Sequence, residues 1–403
     1  IRDVELIEKL DDKLNLIKLA LTLAYDSKTN YDDVFAQVRM WDALIYNHLR
    51  EKNCVLPPTK KNDKSSAYIG AYVKDPIVGL HKWVASFDLD SLYPHLIMQF
   101  NISPDTFIDP EHWPQELKTI NGISIDSLLT KQSNTENLKK VNATITPNGH
   151  FFNRDHQGFL AEMMETMYND RVKYKQKSIE AKKQLEKETN KEKRFEIEKE
   201  ISRYNNLQLA KKVCLNSAYG ALGNEYFRFF DIRQATAVTT AGQLSIRWIE
   251  NKLNGYMNKL LKTEGKDYVL ASDTDSIYLS LDELVNKTII EQKPDAETRE
   301  IIKFMDKICE NKIKPFIDKS YAELAEYTNA FSQKMRMKRE ALSDKGIWTA
   351  KKRYILNVYN NEGVEYAKPK IKIMGLEMIK SSTPSACRDK LKQSIDVMFT
   401  SDE

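Results

Sequence analysis

The sequence predicts an α+β protein: an antiparallel sheet backed by helices, broken by an antiparallel two-helix insertion and preceded by a helical segment. Three observations carry that expectation. Apolar, β-rich runs at 84–89 and 268–279 end on tight polar turns bearing aspartates. Helical patterns run from Gly158 to about Leu185 and on through about Leu222, parted by the breaker-like Glu188-Thr-Asn-Lys191, as two antiparallel helices joined by a tip would. Residues 334–340, 347–357 and 365–374 alternate or run apolar as strands do.

Taken in order, residues 1 to about 56 read as helices, because Leu6, Leu10, Leu14, Ile17 and Leu21 recur at spacings of three and four and 35–46 continues the pattern. Pro57-Pro58 and the polar run Lys60-Lys-Asn-Asp-Lys-Ser-Ser66 then read as an exposed connection. Residues 108–150 are rich in Asn, Ser and Thr with little periodicity, and they close on Thr146-Pro-Asn-Gly149, a turn by composition. A helix from about 232 to 261 puts Ala235, Val238, Ala241, Leu244, Trp248 and Ile249 on one side, a core face. Residues 283–330 read as charged amphipathic helices without evident chemistry.

The chain has 403 residues, enough for two or three domains, and 41% of them are apolar, an ordinary fraction for a water-soluble fold. No window approaches roughly 18 consecutive apolar residues, so no membrane span is expected and a cytoplasmic setting is the default. Cys54, Cys214, Cys309 and Cys387 are too scattered for a metal-binding pair and are expected as free thiols. The net charge of +4 is mild, but its distribution is not. Between Arg171 and Lys212 there are 14 Lys/Arg against 7 Glu, and between Gln333 and Arg353 there are 8 against 2 acids. Such stripes suit phosphate backbones, although part of the first is also what a solvated helix face requires.

In Val84-Ala-Ser-Phe-Asp-Leu-Asp-Ser-Leu-Tyr-Pro-His95 an apolar run delivers Asp88 into a turn, and in Tyr268-Val-Leu-Ala-Ser-Asp-Thr-Asp-Ser-Ile-Tyr-Leu279 two β-rich runs flank Asp273 and Asp275. Either segment alone reads as a helix cap or turn former. Brought together, their carboxylates would repel one another unless divalent cations sat between them, which is the two-metal geometry of in-line displacement at phosphorus in polymerases, nucleases and phosphatases. On the helical insertion, Arg171 and Lys175 are four apart and share a face, as do Lys212, Asn216 and Tyr219 at spacings of four and three. A cationic face of this kind invites an anionic ligand.

Between the two aspartate segments lies Lys212-Val-Cys-Leu-Asn-Ser-Ala-Tyr-Gly-Ala-Leu-Gly223. With it, Ser91-Leu-Tyr-Pro94, Lys212 to Gly220 and Asp273-Thr-Asp-Ser276 resemble motifs A, B and C of the family B DNA polymerases, in order and spacing. Asn101-Ile-Ser-Pro104, Pro147-Asn-Gly149, Lys351-Lys-Arg-Tyr354 and Lys372-Ile-Met-Gly375 narrow the resemblance to the T-even-like bacteriophage branch, over nearly the whole chain.

The resemblance implies a helical segment at 1–66, a palm at 67–157 and 223–380 around a fingers hairpin at 158–222, and the start of a thumb at 381–403. It implies DNA-templated DNA synthesis from dNTPs on primer-template DNA, with two Mg²⁺ ions that Mn²⁺ could replace. Asp88, Asp275, the Leu89 carbonyl and, peripherally, Asp273 would hold the metals, with Glu340 near them. Ser91, Leu92, Tyr93, Arg171, Lys175, Lys212 and Asn216 would hold the nucleotide, Tyr93 excluding a 2′-hydroxyl. Tyr219, Gly220, Lys352 and Tyr354 would meet the nascent base pair and primer. It further implies, outside this chain, exonuclease and thumb segments or a second polymerase chain, and a sliding clamp reached through C-terminal residues. The chain is therefore expected to be a palm-and-fingers fragment or one half of a split polymerase, the second reading making it a primer-template binder that needs its partner. A palm of the RNA-dependent or reverse-transcribing kind would show an Asp-Asp dipeptide in place of Asp273-Thr-Asp275. Two departures stand out: Ser272 replaces the usual glycine before motif C, and His95 the usual serine after Pro94, where a packing or surface role is expected.

Overall fold

The computed structural model describes residues 2–62 and 69–400. The expected boundary at 66/67 lies outside them.

The chain opens with α1 (Arg2–Leu14), α2 (Leu16–Ser27) and α3 (Gln37–Glu51). α3 lies along the later long helices, where Trp41 Nε1 donates to Ser217 Oγ at 2.9 Å and Gln37 Nε2 to the Ser217 carbonyl. Strand β1 (Gly79–Leu89) leads into α4 (Leu92–Phe100), of which only Tyr93 is less than buried.

Residues 108–150 depart from the sequence expectation. Instead of irregular chain they form β2 (Phe107–Ile108), three short helices, α5 (Gln115–Lys118), α6 (Ile125–Leu129) and α7 (Glu136–Lys140), then β3 (Ala143–Ile145) and β4 (Phe151–Asn153). The strands make a small sheet in the order β2-β4-β3 over a core of Leu117, Leu138, Ile145 and Phe151. The 3–4 turn between β3 and β4 is the Pro-Asn-Gly segment: Gly149 N donates to the Thr146 carbonyl at 2.9 Å, and Asn148 Nδ2 reaches the Arg233 carbonyl.

The insertion comprises α8 (Phe159–Lys187) and α9 (Lys191–Leu222). The root of α8 explains the Asn101-Ile-Ser-Pro signal. A helix begins with unsatisfied N–H groups, and here three of them donate to the neighbouring loop: Gly158 N to Asn101 Oδ1 at 2.8 Å, Phe159 N to Asp105 Oδ2 at 3.3 Å, and Leu160 N to Ser103 Oγ at 3.2 Å. Donation runs toward these oxygens in each case. A Cβ at Gly158 would stand 2.4 Å from Ser103 Cβ, so the contact needs glycine. At the tip, Asn190 Oδ1 caps α9 by accepting from Glu192 N and Lys193 N.

Next come α10 (Ile232–Leu261), the hairpin β5 (Val269–Asp273) and β6 (Ser276–Ser280), and α11 (Asp282–Val285), α12 (Thr298–Ile308) and α13 (Lys314–Tyr327). β7 (Met337–Ala350), β8 (Arg353–Asn361) and β9 (Val364–Met374) complete an antiparallel six-stranded sheet in the order β5-β6-β1-β7-β8-β9, and α14 (Ser385–Thr400) follows. The sequence reading of 347–357 as one strand is corrected: Lys351-Lys352 form a hairpin turn there, with Lys352 itself at φ 61. Nothing in the composition marks that turn, since neither residue is a usual turn former.

The two faces of the sheet differ. Ala85, Phe87 and Leu89 of β1, with Ile277 and Leu279 of β6, pack against α10, whose six anticipated residues are all buried. Alternation sends Val84, Ser86 and Asp88 to the other face, over a smaller cluster with Tyr278, Trp348, Tyr354 and Leu356. Burying the first face thus displays the second.

Gly375, after β9, has φ 68, and a Cβ there would stand 2.2 Å from the Lys352 carbonyl. Gly375→Ala is expected to destabilise the protein by about 1–3 kcal/mol by displacing the Lys351-Lys352 turn, read as a lowered urea midpoint. An unchanged midpoint would show that this approach is not tight.

Candidate active site

The site forms where β1 ends beside the β5–β6 turn. Antiparallel pairing sets Asp88 opposite Ser276 on one side and Lys338 on the other. The turn is tight: Asp275 N donates to the Asp273 carbonyl at 2.6 Å and Thr274 takes φ 59. Leu89 N then donates to the Asp275 carbonyl at 2.9 Å, so the backbone locks Asp275 beside Asp88. The left-handed position falls on Thr274 and not on Ser272, which lies in regular strand with its Oγ buried and unpartnered. The hairpin therefore forms without glycine at 272.

The carboxylates are electrostatically coupled. Burial, then Asp275, then Glu340 and Asp90 push the Asp88 carboxyl up to about 7, with Lys372 opposing. Burial and the neighbouring Asp273 and Glu340 also raise Asp275 above the usual carboxylate range. Glu340 accepts from Lys372 Nζ at 2.7 Å and from Ser86 Oγ at 3.3 Å. Asp273 instead pairs with Lys352 Nζ at 3.0 Å. The acids that act on Asp88 are thus Asp275, Glu340 and Asp90, while Asp273 acts on Asp275.

Among the described residues no three His, Cys, Asp or Glu side chains stand at mutual ligating spacing. The donor set that fits a divalent cation is Asp88 with Asp275, whose suppressed ionisation a dication would relieve, and the Leu89 carbonyl beside them.

A cavity of ≈ 550 Å³ opens at Asp88, with Asp90, Glu340, Lys175 and Lys338 also in its wall. Lys175 thus reaches the site from α8. Arg171, one turn earlier, donates from Nη1 to Ser91 Oγ at 3.0 Å, and its Nε is buried without a partner among the described residues. Ser91 has φ 44 and starts α4, followed by the buried Leu92. The Tyr93 ring stands 4.6 Å from that of Tyr219 on α9. Lys212 and Asn216 lie exposed earlier on α9. At Gly220 the space for a Cβ is filled by Gln37, so its close approach is to α3. Tyr354 is only 6% exposed, stacked on Trp348 and bonded through its hydroxyl to Tyr278 at 2.7 Å, behind the surface that displays Lys352.

His95 is buried, its ring edge-on to Tyr168 at 4.5 Å and its Nδ1 3.0 Å from the Ser91 carbonyl; burial lowers its proton affinity. That is the packing role expected of it. Asp306, Glu310 and Lys314 also line the cavity and were not legible as site residues. They come from a helical stretch that turns π-helical at Cys309–Ile313 and is tied to the sheet through Arg339, whose side chain is 4% exposed and lies 2.6 Å from Asp306. Only the π-turn, invisible in the sequence, could have drawn attention to them. The four cysteines are free thiols, and no described helix is long and apolar enough to cross a membrane.

Comparison with known proteins follows the same lines. The family model for DNA polymerase family B matches residues 35–297. A DNA-directed DNA polymerase of Escherichia phage RB69 is 35% identical over 446 aligned residues, covering 100% of this chain and 48% of that protein. The corresponding enzyme of Enterobacteria phage T4 is 32% identical, covering 98% of this chain and 47% of its own length. DNA polymerase 1 of Pyrococcus abyssi is 26% identical across 81% of the chain and 32% of its own length. The chain spans about half the length of the two phage relatives. With the match extending over more than half of its residues, and with the aspartate strand, the acidic hairpin and the two-helix insertion in the motif order described above, the chain belongs to the family B DNA polymerases.

Proposed function

We propose that this chain carries the nucleotidyl-transfer centre of a DNA-templated DNA polymerase of phage replication, acting on primer-template DNA and dNTPs. The observation that carries the reading is the coupling of Asp88, near the end of β1, with Asp275 in the β5–β6 turn, beside a cavity that Asp88 lines and Lys175 enters from α8. The six-stranded sheet is the palm and the α8–α9 hairpin the fingers.

Asp88, Asp275 and the Leu89 carbonyl would hold two Mg²⁺, with Asp273 at the periphery. Bound there, the ions supply charge neutralisation to the attacking and leaving oxygens of an in-line displacement at phosphorus. The protein's own groups do the rest. Arg171, Lys175 and Lys212 donate to the triphosphate, and Arg171's unpartnered Nε supports that role. The Ser91-Leu92 backbone and Asn216 help seat the nucleotide. Tyr93 against Tyr219 makes a ring floor that excludes a ribose 2′-hydroxyl by volume, and Lys352, standing on Asp273, faces the primer. Gly220 and Tyr354 support this surface from behind.

Primer extension tests the assignment. Asp88→Asn and Asp275→Asn are expected to lower nucleotide addition by at least about a thousandfold, the equivalent of several kcal/mol of lost charge stabilisation. Primer-template binding should persist, because phosphate contacts supply most DNA affinity. Tyr93→Ala in the same assay should relax discrimination against ribonucleotides. Addition by either aspartate variant within tenfold of the parent, about 1.4 kcal/mol, would refute the site.

The carboxylate coupling also has a signature in stability. In chelator-treated buffer the folded protein holds a proton on Asp88 up to about 7, whereas the unfolded chain releases it near 3.8. The folded state therefore binds more protons within that window, and stability falls as pH rises through it. Asp88→Asn removes this loss, so the variant should melt above the parent at about pH 8, with the gap closing below about pH 4. A variant that melts at or below the parent at about pH 8 would contradict the coupling.

A further inference from the structure

Away from the site, α2 packs along α9 and, with α8, encloses a groove of ≈ 990 Å³. Three helix faces supply its walls. Lys18 and Tyr25 lie seven apart on α2, Lys173 and Lys177 four apart on α8, and Phe195, Lys199 and Arg203 at successive fours on α9. Tyr174 and Tyr204 complete the aromatic lining.

Two properties distinguish this groove from an ordinary solvated helix face. The first is its charge. Five cations line it against Asp26 and Glu198, and Asp26 is already paired with Lys211 at 2.9 Å. The second is that large rings stand open among the cations: Tyr25 is 90% exposed and Phe195 58%. Lys199 Nζ lies 4.3 Å from the centroid of the Phe195 ring and Lys177 Nζ 5.5 Å from that of Tyr204. Exposing an aromatic face to water is unfavourable, and folding gains nothing from it at these positions. Rings interleaved with cations along a groove are what a flexible polyanion with π-faces requires, each phosphate meeting an ammonium and each base a ring. A duplex hides its bases, and an acidic peptide has none to stack.

We propose that this groove binds single-stranded DNA, holding the unpaired template at a distance from the acidic cavity. The assignment of the strand as template rests on the polymerase reading, whereas the binding itself does not. Bases stack on Tyr25 and Phe195 while Lys18, Lys173, Lys199 and Arg203 track the backbone. No sequence preference follows, because every base offers a π-face.

The test is fluorescence anisotropy of the full chain with a labelled oligothymidylate of about 12 nucleotides, within the usual site size for such grooves. A blunt duplex and polyglutamate serve as competitors. Tyr25→Ala and Phe195→Ala should each weaken oligothymidylate binding by about fivefold or more while leaving thermal unfolding unchanged, since both rings are exposed. Lys199→Glu with Arg203→Glu should weaken it further and flatten its salt dependence. Addition of nucleotides to a primer whose template overhangs by a few bases should be unaffected by the aromatic variants. Undiminished binding in both aromatic variants, or equal displacement by polyglutamate, would show a mere polyanion surface and overturn the proposal. The binding outcomes are read without catalysis, so an inactive chain would count against the polymerase reading alone.

Discussion

The structure turns on a repulsion held in place by backbone. Asp88 lies near the end of β1 and Asp275 in the turn that leads into the neighbouring β6; the register of these strands is set by the apolar face beneath them, and the Leu89 N–H bond to the Asp275 carbonyl closes the remaining freedom. Separating the carboxylates would mean sliding β1 against β6, and a slip of one residue would turn Phe87 and Ile277 out of the core. The buried face therefore keeps two charges together that would otherwise move apart. The cost of that arrangement is visible in the acidity of Asp88.

Much of the molecule is arranged to place other groups against this pair. Asn101, Ser103 and Asp105 cap the first turn of α8, which fixes where Arg171 and Lys175 emerge relative to the cavity. Trp41 and Gln37 brace the far side of α9 through Ser217, two residues from Tyr219. Arg339, nearly fully buried between the sheet and α12, ties the acidic wall of Asp306 to the strand that bears Glu340. Lysines offset each acid in turn, Lys372 on Glu340, Lys352 on Asp273 and Lys338 on Asp90, but Asp88 and Asp275 have no such ion pair among the described residues.

What could be read from the sequence was local. The period-two runs, the breaker between α8 and α9 and the core face of α10 each depend on neighbours a few residues away, and they appear where expected. The small sheet was missed because strands of two and three residues are too short to show any alternation. The Lys351-Lys352 turn was missed because tertiary context, with Gly375 lying close behind it, selects a left-handed lysine that propensity disfavours. Glu340 was anticipated only through resemblance. Its place in the cluster depends on a bulge between Ala85 and Phe87 in the pairing of β1 with β7, which no spacing rule reports. Tyr354 shows the converse, since alternation after an unrecognised turn sent its ring inward.

The central claim is that Asp88 and Asp275 form a repelling pair that divalent cations relieve. Thermal unfolding with and without Mg²⁺ at about pH 8, above the range in which Asp88 gives up its proton, measures this directly. The parent chain should gain about 2.7 kcal/mol at a hundredfold excess over the dissociation constant, while Asp88→Asn and Asp275→Asn should gain little. Equal stabilisation of parent and variants, or none in the parent, would contradict the account.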